Sequence, residues 1–412
     1  MYLIIGLTVL LLLFGIAEKT QHQKNIDAIP IRVNVNGIRG KSTVTRLMTG
    51  VLTAAGYKVV GKTTGTAARM IFWNTKEETP IERRPEGPNI GEQRKVVGQA
   101  AKLGAEVLVS ECMAVTPDYQ IIFQEQLLQA NIGVIVNVLE DHMDVMGPTL
   151  DTIAEAFIAT IPYGGKLVIA NGPYVDYFSE IAKKRETEIF LADASIITEE
   201  QMRQFGYIVF PENVALALAL AKAMDVDDEI AWEGMLKANP DPGILRVHTL
   251  NILGKTTYFV NAFAANDATS TLAIWQRVMD LGYPADNSAI VMNCRSDRVD
   301  RSIQFAEDVF PYTHCSLFIC MGSSTKPVLD VYNAGKITTE EFYDAKAADG
   351  FKIYKDLEAK IAGKVIFGVG NIHGTAEEFI EALLSLKPEL SEQEKRNWGK
   401  ELCTEQNCML PL

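Results

Sequence analysis

Hydrophobic and polar positions alternate between two patterns in the first part of the chain. Short apolar runs, typical of buried strands, are followed by segments of about 10 to 15 residues with helical spacing. This alternation predicts βαβ units and a parallel sheet. The predicted strands are 31–36, 57–61, 105–111, 131–138 and 166–170, and the predicted helices are 41–55, 91–103, 117–128, 150–160, 210–224 and 227–238.

A Pro- and Gly-rich segment, NPDPGILR at 239–246, separates this pattern from a second α/β pattern. Such a segment is typical of a domain boundary. The fold class is therefore α/β, with a parallel-sheet central domain over 19–244, a smaller C-terminal α/β domain over 245–388 and a loose polar tail over 389–412. Strands of the C-terminal domain are predicted at 257–261, 289–293, 317–321 and 364–369.

The N-terminus carries an uncharged aliphatic run, 2–17, which as a helix spans roughly 25 Å, slightly short of a hydrocarbon core. No Lys or Arg precedes it, so the basic region of a secretion signal is missing. Lys19 and Lys24 follow, which places the body in the cytoplasm. We expect a membrane anchor over 1–18 and a short polar linker over 18–30. The alternatives are a buried core helix and a cleaved signal.

Composition narrows the range of partners. The chain has 412 residues, 48% of them hydrophobic and 22% charged, which indicates a globular protein of two or three domains. Its net charge of −13 repels nucleic acid, so nucleic-acid binding is excluded, and an acidic ligand requires a local basic patch. The six cysteines form no CxxC pair, and Cys403 and Cys408 have no histidine nearby, which indicates reduced thiols rather than zinc ligands.

The segment Asn36–Thr43 lies between a predicted strand and a predicted helix, as a phosphate-binding loop does. Glycines there let backbone N–H groups turn towards phosphate oxygens, and the helix N-terminus adds its positive end. An ordinary strand-to-helix turn is the alternative. The residues predicted to bind ATP are Asn36, Gly37, Arg39, Gly40, Lys41, Ser42 and Thr43, with Lys41 at the β- and γ-phosphates and the Ser42 hydroxyl on Mg²⁺.

Two further polar residues follow predicted strands. Glu111 ends the strand 105–111, and His142 follows the strand 131–138. Ligands of open α/β sheets bind beyond the carboxyl ends of the strands, so both side chains would face the phosphate loop. A carboxylate suits a hard cation such as Mg²⁺, whereas an Asp-His pair taken alone is more often a satisfied polar pair.

These motifs resemble those of Mur ligases and folylpolyglutamate synthases, whose phosphate loop lacks the first Walker glycine; Val35 stands there in this chain. Asn137–Gly147 resembles their second motif. The resemblance implies that Glu111 and His142 each hold a Mg²⁺, supported by Asn137 and Asp141. It also implies that Thr64 or Thr66 offers a hydroxyl near the second metal. The carbamylated lysine of many relatives is missing, because residues 150–162 contain no lysine.

The same resemblance assigns nucleotide contacts near the domain boundary. Arg246 follows Pro242-Gly243, as does an arginine that contacts the nucleotide phosphates in the relatives. Asn266 matches a position of their ribose-binding segment, although the expected Asp is replaced by Asn261 or Ala262. Asn266-Asp267 also fits a helix N-cap.

Basic residues form two candidate sites for an acidic substrate. Arg295, Arg298 and Arg301 have a spacing that would place them on nearly one helical face, and surface ion pairs with Asp297 and Asp300 are the alternative. Arginine suits carboxylates through its planar fork of donors. The second candidate site consists of Arg69, Arg83 and Arg84, with Lys62. His373, in the glycine-containing loop 368–374, is a further predicted substrate contact.

Longer stretches, including GKTTGTAARM, LLQANIGVIVNVLEDHMDVMGPTLD and VGNIHG, are similar to the PgsB/CapB family of poly-γ-glutamate synthase subunits. This resemblance implies an ATP-dependent amide ligase that joins glutamate units through the γ-carboxylate by way of an acyl phosphate. Lys41, Glu111 and His142 would be catalytic. It implies Mg²⁺, glutamate, the growing polymer and other membrane subunits as partners, and it leaves a homo-oligomer open. A folylpolyglutamate-type ligase and a P-loop ATPase that forms no bond are the alternatives.

Overall fold

A computed structural model describes residues 2–65, 68–83, 87–140, 143–241, 245–263, 265 and 267–386. The described residues form two compact units. The first lies within Met1–Thr198 and Val209–Pro242, and the second within Glu199–Ile208 and Gly243–Leu412. The chain therefore enters the second unit briefly at 199–208, returns to the first, and then continues into the second.

The strands follow the predicted alternation of short buried runs. Their bounds are β1 Ile31–Asn36, β2 Val59–Lys62, β3 Arg69–Phe72, β4 Thr79–Pro80, β5 Val107–Glu111, β6 Ile132–Ile135, β7 Lys166–Ala170, β8 Glu188–Ala192, β9 Val247–Ile252, β10 Lys255–Asn261, β11 Ser288–Cys294, β12 Cys315–Gly322, β13 Thr339–Lys346 and β14 Val365–Gly370.

The helices connect these strands. Their bounds are α1 Tyr2–Asp27, α2 Lys41–Ala54, α3 Glu92–Lys102, α4 Pro117–Ile122, α5 Met143–Met146, α6 Leu150–Phe157, α7 Val175–Lys184, α8 Glu199–Met202, α9 Pro211–Ala223, α10 Asp228–Lys237, α11 Ala268–Asp280, α12 Val299–Asp308, α13 Lys326–Asn333, α14 Gly350–Ile361 and α15 Thr375–Leu384. A π-helical segment, Phe123–Leu128, continues α4, and a 3₁₀ turn, Ile158–Thr160, continues α6.

The first unit is built on an eight-stranded sheet of order β4-β3-β2-β5-β1-β6-β7-β8. The six strands from β2 to β8 in this order are parallel, and β3 and β4 form an antiparallel edge. β1 lies between β5 and β6, with Val35 opposite Glu111 on one side and Val134 on the other. The loops after β1, β5 and β6 therefore open at one edge of the sheet, where ligands of such folds bind.

The second unit has a six-stranded sheet of order β13-β12-β11-β14-β10-β9, parallel except for β9. Successive residues of β14 face opposite sides. Val365 and Phe367 pack in one hydrophobic cluster with α11 and α12, and Ile366 packs in another with α14 and α15. Helices thus cover both faces, which confirms the predicted α/β class.

The N-terminal segment is a single helix, α1, and its 26 residues continue through the region predicted as a polar linker. The linker prediction is therefore wrong over residues 18–27. The reason lies in burial: His22 and Ile26 pack into the body, so tertiary contacts stabilise a helix that polar composition alone does not indicate. By length and composition, α1 is long and apolar enough to cross a membrane.

Candidate active site

The phosphate loop links β1 to α2 through two glycines with left-handed φ angles, +139° at Gly37 and +81° at Gly40. Side chains are disfavoured there on conformational grounds. Space is also short: a Cβ on Gly37 would lie 3.0 Å from Val136 Cβ, and one on Gly40 would lie 2.8 Å from Asn213 Oδ1. The loop therefore needs glycine at both positions, and it directs the amino end of α2 into the site.

Two asparagines hold the loop in place. The buried Asn36 accepts a hydrogen bond from the Gly37 N–H and donates to Gln120 and Thr160. Asn137, after β6, accepts from the backbone N–H groups of Ile38 and Arg39 at 3.1 Å and donates to the Arg39 carbonyl. This role of Asn137 was missed by the sequence analysis, which placed it beside the metal; an amide at the end of the neighbouring strand was the available signal.

Hydrogen-bond donors from the start of α2 and from the loop after β2 meet at Glu111, which lies at the end of β5 and is only 3% exposed. Ser42 Oγ donates to Oε2 at 2.8 Å, Thr64 N donates to Oε2 at 2.8 Å, and Thr64 Oγ1 donates to Oε1 at 2.5 Å. Beside them, Lys41 Nζ donates to the carbonyls of Gly37 at 2.8 Å and Ile38 at 3.1 Å. Ser42, Thr64, Glu111 and Lys41, predicted separately, therefore lie in one site.

These residues fit Mg²⁺ and a nucleotide phosphate. The hydroxyls of Ser42 and Thr64 each lie within hydrogen-bonding distance of the Glu111 carboxylate, and all three groups offer the hard oxygen atoms that a hard cation prefers. Among the residues that the structure describes, no three His, Cys, Asp or Glu side chains form a metal-binding group. The predicted ligand His142, its neighbour Asp141 and the alternative Thr66 lie outside the described residues.

Lys62 lies behind this oxygen cluster. Its side chain is 0% exposed, with Nζ 3.5 Å from the Glu111 carbonyl oxygen and 6.0 Å from the centre of the Phe123 ring. Burial lowers the pKa of Lys62 to about 8, although the Glu111 carboxylate opposes this shift. The expectation that Lys62 contacts an acidic substrate is wrong, because the side chain is enclosed.

Two other members of the second candidate site, Arg69 and Arg83, lie near the same edge of the sheet. Arg83 donates to the Gly65 carbonyl at 2.5 Å and pairs with Glu92 at 3.3 Å. Arg69 begins β3, and its backbone N–H donates to Thr63 Oγ1 at 3.1 Å. Arg84 lies outside the described residues. Arg69 and Arg83 therefore border the loop that carries Thr64.

A second polar cluster lies at the carboxyl ends of β11 and β14. Asn293 is buried, and its Nδ2 donates to the carbonyls of Asn371 at 2.6 Å and His373 at 3.0 Å. Arg301 NH1 donates to Asn371 Oδ1 at 3.1 Å. The pKa of Arg301 is lowered by partial burial and by the positive charges of Arg298 and Arg295. Arg301 and the His373 loop are thus brought together, and Asn371 is the link that the sequence analysis missed.

The predicted helical face of three arginines is wrong. α12 begins at Val299, so Arg295 and Arg298 precede it and Arg301 alone of the three lies on the helix. Arg295 forms an ion pair of 2.7 Å with Asp297. The hydrogen bond from Arg295 lowers the pKa of the Asp297 carboxyl. For Arg295 the ion-pair alternative therefore describes the contact. His373 Nδ1 contacts Glu377 at 3.0 Å.

The predicted nucleotide contacts near the domain boundary are only partly described. Arg246 lies immediately before β9 in the second unit. Asn266, like Pro242 and Gly243, lies outside the described residues. Asp267 accepts from Ser270 N at 2.8 Å and caps α11, so the N-cap alternative is confirmed for Asp267.

Models of known protein families match the two units of the chain separately. The Mur ligase middle domain matches residues 35–224. A bifunctional folylpolyglutamate synthase/dihydrofolate synthase with Mn, AMPPNP and L-glutamate bound has a similar fold, with a TM-score of 0.54 at 13% identity over 90% of this chain and 93% of that one. The fold and the family match together define a ligase of the Mur type, an ATP-dependent enzyme class that forms amide bonds.

Residues 247–386 match the C-terminal domain of the poly-gamma-glutamate synthase CapB. PGA synthase CapB of Bacillus subtilis (strain 168) is 57% identical over 387 residues, which cover 94% of this chain and 98% of the relative. Capsule biosynthesis protein CapB of Bacillus anthracis is 55% identical over 93% of this chain and 83% of that protein. The chain belongs to the CapB family of poly-γ-glutamate synthases.

Proposed function

We propose that this chain joins glutamate units through the γ-carboxylate at the expense of ATP. A carboxylate is a poor electrophile at neutral pH, so it must first be activated. The γ-carboxylate oxygen attacks the terminal phosphorus of ATP, the bond to ADP breaks, and an acyl phosphate forms. The amine of a second glutamate then attacks the acyl carbon, phosphate leaves, the amine loses a proton, and an amide remains. The meeting of Ser42, Thr64 and Glu111 beside Lys41 is the observation that carries this proposal.

The residues of the first unit have distinct roles in this scheme. Bound Mg²⁺ would neutralise charge on the transferring phosphoryl group. Ser42, Thr64, Glu111 and His142 would hold the metal. Lys41 would leave the loop carbonyls for the β- and γ-phosphates, and the N–H groups at the start of α2 would face phosphate oxygens. Asn36 and Asn137 keep the loop in position for this contact.

The second unit is proposed to recognise glutamate. Arg301, held by Asn371, and the nearby Arg295 and Arg298 form a positive cluster in a chain of net charge −13. Such a cluster suits a carboxylate, and His373 borders it through the shared contact with Asn293. Arg246 and Asn266 are proposed to contact the nucleotide, and Arg69, Arg83 and Arg84 the acidic polymer.

The chain is proposed to be a single-pass membrane protein with its body in the cytoplasm. The aliphatic residues of α1 are exposed over Tyr2–Ala17, which leaves a large apolar surface that a bilayer would cover. Lys19 and Lys24 follow this segment, as the positive-inside rule requires. Other membrane subunits are proposed to hold or export the polymer.

The test is an assay on membranes that contain the full-length chain, with ATP, Mg²⁺ and labelled D- or L-glutamate. We expect ADP and γ-linked polymer to form together and to require glutamate. ADP formed at the same rate without glutamate would favour an ATPase that forms no bond. Extension of a folate acceptor in place of free glutamate would favour a folylpolyglutamate-type ligase.

A further inference from the structure

The N-terminal helix joins the apolar segment to the body without interruption. In α1, residues 2–17 are exposed, whereas His22 and Ile26 are buried against the first unit. His22 Nε2 lies 3.1 Å from the Leu127 carbonyl, which fixes this end of the helix. The direction of the docked turns therefore determines the direction in which the apolar segment leaves the body.

Contacts with α3 give that direction. Glu18 pairs with Arg94 at 2.8 Å, and Asn25 Nδ2 lies 3.4 Å from the position of a Cβ on Gly98. The residue numbers rise together, so the two helices run in the same sense. If the two helices ran in opposite directions and Asn25 still lay beside Gly98, Glu18 and Arg94 would be separated by about 16 Å along the helix axis. This is farther than the two side chains reach.

The sense of α3 relative to the sheet follows from its ends. Near the start of α3, Gln93 Oε1 accepts a hydrogen bond from Ser110 Oγ at 3.2 Å. Ser110 is the residue before Glu111, which ends β5. After the end of α3, Ala105 N donates to Ala100 O and Glu106 N donates to Lys58 O. Lys58 lies just before β2 and Glu106 just before β5, so this end of α3 is at the amino edge of the strands. α3 therefore runs from the carboxyl edge of the parallel strands to their amino edge, and so does the docked part of α1.

The apolar segment consequently projects from the carboxyl edge of the first sheet. Glu18 lies beside the first turn of α3, at the level of that edge. The 16 residues that precede Glu18 in α1 rise about 24 Å beyond it. The same edge carries the phosphate loop after β1 and Glu111 at the end of β5.

We propose that the carboxyl edge of the first sheet, with the phosphate loop and Glu111, faces the lipid bilayer. This inference rests on the proposed membrane anchor and adds its consequence: the anchor is a rigid rod that sets the orientation of the catalytic edge. Acyl-phosphate formation then takes place on the membrane side of the body, and the amino edge of the sheet faces the cytosol.

A matched pair of labels tests the orientation. Lys95 and Lys102 are both exposed on α3, and each replacement removes one positive charge. Lys95→Cys and Lys102→Cys are made in the full-length chain with Cys403→Ser and Cys408→Ser, labelled with a bimane fluorophore and placed in vesicles that contain nitroxide-headgroup lipid. The two sites are separated by about 10 Å along α3, and we expect the Lys95 label to be quenched at least about twofold more.

Equal quenching, or stronger quenching at Lys102, would overturn the proposal. A Gly-Gly-Ser-Gly-Gly insertion between Ala17 and Glu18 is the control for the rigid connection: it should abolish the difference while the chain still sediments with the vesicles. A difference that survives the insertion would show that α1 does not set the orientation. A chain that stays in the supernatant would refute the anchor itself, which separates that failure from a wrong orientation.

Discussion

Glu111 shows how much of the site depends on one side chain. Its carboxylate accepts from Ser42 in the phosphate loop and from both the backbone and hydroxyl of Thr64 in the loop after β2. The three contacts are short, and the two donor residues lie in different parts of the chain. The carboxylate oxygens are the hard donors that a divalent cation binds, and they lie where these two parts of the chain meet.

Replacing Glu111 by Gln therefore tests the site at its centre. Glu111→Gln keeps the shape but removes the charge and turns one acceptor into a donor that faces hydroxyl groups. We expect glutamate-dependent ADP formation to fall at least about 100-fold, with a raised Mg²⁺ requirement. Glu106→Gln, at the residue just before the same strand, is the control and should retain activity; the Glu106 carboxylate accepts a hydrogen bond from Lys58 N. Similar activity of the two variants would contradict the metal role.

Arg301 carries the prediction for the second unit. Arg301→Ala removes a guanidinium that is partly buried and held by Asn371. The glutamate KM should rise by about tenfold or more while the KM for ATP stays within about twofold, because only the charge-assisted carboxylate contact is lost. Lys326→Ala, which breaks an exposed ion pair with Asp330, should change neither. An unchanged glutamate KM in Arg301→Ala would leave that arginine a structural role.

At the scale of elements, the phosphate loop requires both conformation and space. Gly40 and Gly56 share a left-handed φ, +81° and +90°, but only Gly40 has a neighbour, Asn213 Oδ1, within 3.0 Å of an added Cβ. Both Gly40→Ala and Gly56→Ala should lower stability by about 1–2 kcal/mol through backbone strain. Gly40→Ala alone should weaken ATP binding, measured by calorimetry. Equal ATP affinity in the two variants would contradict the loop assignment.

The docked end of α1 should respond to pH. Burial is the main cause that lowers the pKa of His22 below its ordinary value of 6.5. The unfolded chain therefore binds the proton first as pH falls below 6.5, and stability declines until the folded-state pKa is reached. We expect the Tm of the wild type to fall between pH 7 and pH 5 more steeply than that of His22→Gln. His314→Gln, at an exposed site, should keep the wild-type slope, and a flat wild-type profile would refute the effect.

The sequence predicted the central elements well because their patterns are strong. β1, α2, β5 and β6 consist of apolar runs bounded by turn residues, and the loops after them carry the chemistry. Edge strands were missed. β9 and β13 carry several exposed polar residues and few buried ones, so their formation depends on pairing with a neighbour that local sequence does not reveal.

Within the site, local motifs were predictable and long-range contacts were not. The glycine loop and Glu111 follow from residues near one another in sequence. The brace by Asn137, the enclosed position of Lys62 and the Asn371–Arg301 contact join residues far apart in the chain, so only the fold reveals them. The start of α12 at Val299 separated the three arginines that regular spacing had placed on one face.

At the scale of the molecule, each of the two units carries a different part of the proposed reaction. The first unit contains the phosphate loop and the oxygen cluster at Glu111. The second unit contains the arginine cluster near the carboxyl ends of β11 and β14. Both clusters lie at the carboxyl edges of parallel sheets, where the loops are free to carry function. Membership of the CapB family fits this division into a Mur-type middle domain and a C-terminal domain of its own.

The most direct measurement traps the activated carboxylate. Membranes that contain the full-length chain are incubated with ATP, Mg²⁺, glutamate and excess hydroxylamine. ADP, glutamyl hydroxamate and new γ-amide bonds are counted together, with Lys41→Ala in parallel. We expect one glutamyl hydroxamate or one new γ-amide bond for each ADP, and at least about a 100-fold loss of these products in the variant, because Lys41 would neutralise charge on the transferring phosphoryl group. Wild-type rates in Lys41→Ala, or ADP formed with neither product, would contradict the proposed function.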